Sequence, residues 1–187
     1  DAQIWLAEIP FVRLRDGLPA SLLAGKVGYT HAVQVVQASL PNNLLLIDLA
    51  GRQIVCGGIS VRLPPRELAF YAWHAQRRIL LGDGAPIGWK DTLGESNPLM
   101  AEYFAIYLDV LHGDVLHPDY EEARRAFENG FDKDTWAGNL FHVKRMIRNE
   151  LGMRGKPFEL SSRRVASQSR LNAYWLDYAA ERIDFVA

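Results

Sequence analysis

Eight cationic side chains fall between Asn139 and Arg170, namely Lys144, Arg145, Arg148, Arg154, Lys156, Arg163, Arg164 and Arg170, against two carboxylates, Glu150 and Glu159. Guanidinium and ammonium groups at this density are suited to phosphates, and a local excess of one sign points to a polyanionic partner. The whole chain carries a formal net charge of only -1, so the positive charge is a property of this block and not of the protein at large. Other chemistry has weaker support. The five histidines are His31, His74, His112, His117 and His142, and no two of them have the i, i+3 or i, i+4 spacing of a helical metal site. His112 and His117, with Asp109, Asp114 and Asp119, form an acidic–histidine cluster, but Gly113 and Pro118 inside it read as a helix-end turn. No nucleophile elbow, zinc-protease helix, phosphate-binding loop or dinucleotide fingerprint is present. Neither a catalytic residue nor a cofactor nor a metal is therefore expected.

The elements that must hold the basic block follow from periodicity and punctuation. Ile4 to Leu14, broken by Pro10, reads as extended, and Ala32, Val35, Val36 and Leu40 share one face of a short helix capped by Thr30. Residues 1–43 thus form an extension. After the Pro41-Asn42-Asn43 turn, LLLIDL, RQIVC and ISVRL are short strands divided by Gly51 and Gly57-Gly58, a small antiparallel sheet. Pro65 opens a helix to about Arg78, with Leu68, Ala72, Ala75 and Ile79 at helical spacing. Leu81 to Asn97 is glycine- and proline-rich and reads as loop, followed by helices over Met100–His112 and Glu121–Asn129. Residues 81–132 therefore read as a helical insertion. Asp134 then caps a long helix striped by Leu140, Val143, Ile147 and Leu151 and stopped by Gly152. Phe158–Val165 and Ala173–Tyr178 make a strand pair around a basic tip, and Ile183–Val186 is a last apolar run.

That order of sheet, helix, insertion, basic helix and hairpin predicts an α+β fold, a winged helix-turn-helix spanning 44–187. On this reading His142, Lys144, Arg145 and Arg148 lie on the open faces of the long helix, within reach of phosphates or base edges of a duplex. Arg163, Arg164, Gln168 and Arg170 belong to the hairpin and its tip, where they would clamp the backbone. Six engaged cations predict a log–log salt slope of about -5. The aromatics Phe70, Tyr71, Trp73, Tyr103, Phe104 and Tyr107 lie on two helices that should face each other in a core. With 187 residues, 49% of them hydrophobic, and no apolar run near the roughly 18 residues of a membrane span, a soluble domain is expected. The single Cys56 excludes an intrachain disulfide and fits a reducing, cytoplasmic setting. The chain opens on Asp1 with no signal pattern and reads as a fragment of something longer.

AEIPFVRLRDGLP, IDLAGRQIVCGGISVRLPPRELAFYAWHA and FHVKRMIRNELG with its hairpin together resemble the C-terminal half of the CRISPR-associated Rossmann-fold (CARF) family related to archaeal ring nucleases. The stretch from Leu63 to Trp73 also resembles the start of OmpR-type winged-helix effector domains, where a small sheet precedes a proline-containing helix start. The resemblance implies a role in type III CRISPR antiviral defence. Cyclic oligoadenylate would be sensed by a CARF domain absent from this chain, on which residues 1–43 would dock, within a homodimer. The expected function is a nucleic-acid-binding or regulatory output. The alternatives are a dimerisation or lid part of a ring nuclease, a protein-interaction winged helix, and a transcription regulator unrelated to CRISPR.

Overall fold

The computed structural model describes residues 44–164 and 172–186. The extension over 1–43 lies outside these residues, as does the hairpin tip. Three short strands come first: β1 (Leu45–Asp48), β2 (Gln53–Cys56) and β3 (Ile59–Arg62), antiparallel in sequence. Their alternation places Leu45, Ile47, Ile54, Cys56 and Val61 inside, as a half-buried sheet requires. The β2–β3 turn consists of Gly57 and Gly58 with φ of 56° and 87°, both in the left-handed region that a tight two-residue hairpin demands. At the β1–β2 turn, Asp48 accepts from the Gly51 amide at 2.6 Å and from Gln53 Nε2 at 3.0 Å.

Helix α1 (Pro65–Leu81) begins with proline in its first turn and ends at Gly82. Every side chain from Leu68 to Ala75 is buried, which makes α1 the central element and not a surface helix. Two short 3-10 turns, Gly82–Gly84 and Trp89–Thr92, lead to α2 (Pro98–Val110) and then α3 (Pro118–Ala126). The stretch read as an insertion thus contributes to the core: Met100, Tyr103, Phe104, Ile106 and Tyr107 of α2 join Phe70, Tyr71 and Trp73 of α1 in one buried cluster. The two helices are also tied by Glu102, whose Oε2 accepts from Trp73 Nε1 at 3.0 Å and Arg77 Nη1 at 2.8 Å.

Helix α4 (Lys133–Leu151) is followed by a 3-10 segment, Gly152–Phe158, and by the hairpin of β4 (Leu160–Arg164) and β5 (Asn172–Leu176). The closing strand β6 (Ile183–Val186) pairs parallel to β1, giving a four-stranded sheet of order β3-β2-β1-β6. The sheet is therefore mixed, where the sequence suggested a purely antiparallel one: the last apolar run closes back on the first strand. The result is a mixed α+β architecture. No helix among the described residues is long and apolar enough to cross a membrane.

Candidate nucleic-acid interface

The position of α4 is fixed at both ends. At its start, Asp132, and not Asp134, is the cap: Asp132 Oδ1 accepts from the Asp134 and Thr135 amides at 2.8 Å, and Thr135 Oγ1 donates to Oδ2 at 2.6 Å. Asp134 belongs to the first turn, where its charge complements the helix dipole. The Thr135 hydroxyl and these amides hold the Asp132 carboxyl below the usual carboxylate range. Just upstream, buried Thr92 accepts from the Phe131 amide at 3.0 Å and donates to the Trp89 carbonyl at 2.6 Å, so the loop before α2 locates the entry into α4. At the far end Gly152, with φ 58°, turns the chain, and Gly155 lies so close to Ile147 that a Cβ would meet its Cγ2 at 2.8 Å. Tyr71 Oη donates to the Phe158 carbonyl at 2.8 Å, fastening the descent into β4 onto α1.

Trp136, Asn139, Val143, Ile147 and Leu151 form the buried stripe. Leu140, expected in that stripe, is only partly buried. Gly138, Phe141, Arg145 and Arg148 follow one another at i, i+3, i+7 and i+10 on the opposite side. Phe141 is 60% exposed, and the Arg145 guanidinium lies over its ring at 5.6 Å. No carboxylate among the described residues pairs with Arg145. The other cations of the helix are differently placed. Arg148 makes a two-pronged contact with Glu159, Nε to Oε1 at 2.6 Å and Nη2 to Oε2 at 3.2 Å. Lys144 Nζ lies 3.5 Å from the same carboxylate. His142 Nδ1 meets Glu67 of α1 at 3.0 Å. Three of the four helix residues expected to reach a partner therefore already face an acid of the chain itself.

On the hairpin, Arg163 and Arg164 are both exposed. The Arg163 guanidinium sits over the Trp175 ring at 5.6 Å, a diagonal cross-strand pair set by the register Arg163↔Ala173. Arg164 pairs with Asn172 at the end of the ladder. Gln168 and Arg170 lie outside the described residues. A shallow recess of about 290 Å³ opens between the end of α4 and β4, lined by Arg148, Gly152, Met153, Lys156 and Glu159. A larger one of about 530 Å³, lined in part by Met100, Phe104, Arg124 and Phe127, contains no residue of the basic block. His117, from the acidic–histidine cluster, caps α3 by accepting the Asp119 amide at 3.2 Å. No group of three potential metal ligands occurs among the described residues.

Sequence reasoning missed Glu159 and Glu67 as partners, and it passed over Phe141 and Gly138. Phe141 was detectable, because it falls off the apolar stripe of its own helix. The acids were not, since their pairing with α4 depends on the turn after Gly152 and on the packing of α1 against α4. What this face can do chemically is bind anions and present one flat aromatic. No protein-family model, curated protein or solved structure matches the chain.

Proposed function

We propose that residues 44–187 form a winged helix that binds duplex nucleic acid, with α4 as recognition helix and the β4–β5 hairpin as wing. The carrying observation is the outward ridge of α4, with Phe141 and an Arg145 that no carboxylate among the described residues pairs with, leading through the Gly152–Phe158 3-10 segment into a hairpin that exposes Arg163 and Arg164. A helix that fits within the major groove beside a basic strand pair is the geometry by which such modules hold a duplex. In this proposal the module is the output part of a protein that senses cyclic oligoadenylate through a CARF domain outside this chain, in antiviral defence. That second part rests on the sequence resemblance alone.

The pairing of Lys144 and Arg148 with Glu159, and of His142 with Glu67, favours a second reading, a protein-interaction or dimerisation module whose charges are spent internally. One titration separates the two. A labelled duplex is titrated with the whole chain at low and moderate salt, beside a variant with Lys144, Arg145 and Arg148 changed to Glu. Duplex binding that weakens steeply with salt and is lost in the variant supports the nucleic-acid reading. A folded protein that binds no duplex at either salt sinks it and leaves the interaction module.

A further inference from the structure

Gly138 is a glycine that the fold does not require. It lies inside α4, its φ is not among the positive values of the described glycines, and a Cβ built on it meets nothing within 4 Å among the described residues. Interior helical glycine weakens a helix relative to alanine, so this chain carries a destabilising residue at a site where the described residues leave room for a better one. One and two turns further along the same ridge stand Phe141, 60% exposed, and Arg145, its guanidinium carbon 5.6 Å from the Phe141 ring centroid. A large exposed aromatic and an adjacent small residue on one face make a stepped surface: a close-approach notch, then a flat apolar contact, then a planar donor. The bidentate cation Arg148 is tied to Glu159, and Lys144 shares that acid. They hold backbone charge better than they read a base.

We infer that Gly138, Phe141 and Arg145 are the sequence-reading edge of α4, with Phe141 against a thymine methyl, Arg145 on a neighbouring guanine, and Gly138 admitting the duplex closer than a Cβ would allow. This rests on the duplex-binding reading above. The chemistry follows from the groove: the thymine methyl is the apolar group exposed there, and a guanidinium matches the paired acceptors of guanine. The Phe141 ring keeps that guanidinium beside it, 5.6 Å from its centroid, and an ammonium would not reproduce the planar contact a guanidinium can make there.

The test is a selection of the whole chain against duplexes with a randomised core, followed by titration of the enriched duplex and of the same duplex with deoxyuridine replacing thymine. A core containing adjacent thymine and guanine is expected. Loss of the read methyl should weaken wild-type binding about fourfold, as expected for one buried carbon, and leave Phe141→Ala unchanged. Arg145→Lys should lose the guanine preference while still binding unselected duplex. Gly138→Ala should raise the thermal midpoint by about 2–4 °C and yet weaken binding to the selected duplex about tenfold, the cost of overfilling a fitted contact. Because this last variant is more stable, its loss cannot be misfolding. No enriched core, equal affinity for the uracil duplex, or undiminished binding by Gly138→Ala would overturn the inference while salt-sensitive duplex binding stands. A lower thermal midpoint in Gly138→Ala would also overturn it, because the space would then belong to the chain itself. Failure to bind any duplex removes the underlying reading as well.

Discussion

His74 lies on the central helix against Phe70 and Trp136, with ring centroids 4.9 and 5.7 Å away, and neither ring nitrogen has a partner among the described residues. Burial, with a smaller contribution from the Arg77 charge, pushes its pKa from 6.5 down to about 3. The imidazole is thus neutral in the folded chain wherever the unfolded chain begins to protonate it. Between pH 6.5 and about 3 the unfolded state binds a proton that the native state refuses, so stability falls as pH falls. We expect urea-unfolding free energy to drop by roughly 2–3 kcal/mol between pH 7 and 4.5, at about 1.4 kcal/mol per pH unit below 6.5. The His74→Leu variant should show a much flatter profile over that window. Cys56 behaves as a core residue for the same reason: burial raises its thiol to about 12. A thiol reagent at pH 8 should leave it untouched in the folded protein and react fully in denaturant, and rapid labelling of the native chain would contradict the packing of β2.

Among the elements, α4 depends on the loops that deliver it. Asp132→Ala removes the acceptor of two amides and a hydroxyl and should cost about 1 kcal/mol in urea unfolding at neutral pH. Because the folded pKa of this carboxyl is depressed, its contribution is present above the ordinary aspartate range and disappears as pH falls through the folded value, which is the acid side of the His74 window. Gly130 has φ 93°, and a Cβ there would run into the Thr92 carbonyl. Gly130→Ala should therefore be the more damaging change, about 3 kcal/mol or more, from strain and displacement of α4 together. These dependences explain what the sequence could reveal. Val143, Ile147 and Leu151 repeat at helical spacing and Gly152 ends the repeat, so the helix and its stop were legible. The cap expected at Asp134 lies earlier in the chain: the amides of Asp134 and Thr135 and the Thr135 hydroxyl all close on Asp132. Parallel pairing of Ile183 with Leu45 and the side-chain contact of His142 with Glu67, 75 positions apart, join residues distant in sequence, which no local pattern encodes. Residue type therefore located the basic face, whereas the acids that neutralise part of it arrive through tertiary packing.

At the scale of the molecule, what matters is how much of the basic block is available to a partner. The chain is almost neutral, at -1, and Glu159 cancels one cation within the block, because Lys144 and Arg148 share it. On the duplex-binding proposal, six cations counted from sequence thus act as five, and the log–log salt slope becomes shallower by about 0.9. Glu159 is only 10% exposed while its two cations are about half exposed, at 50% and 55%, so it sits beneath them and competes with any phosphate approaching from outside. Glu159→Gln keeps the side-chain shape and removes the competitor. Duplex affinity at low salt should then rise about fivefold, the order of one extra charge near a surface, and the slope should steepen by about 0.9. The gain should shrink as salt screens the added charge, with circular dichroism and thermal midpoint little changed. A Glu159→Gln variant that stays folded but loses duplex binding would show the opposite role: the carboxylate would be orienting Arg148 towards phosphate, and the neutralised pair would be part of the binding surface. Arg145→Ala provides the comparison, since no acid among the described residues holds Arg145. Its loss should weaken binding more than Lys144→Ala, which leaves Arg148 to satisfy Glu159 alone.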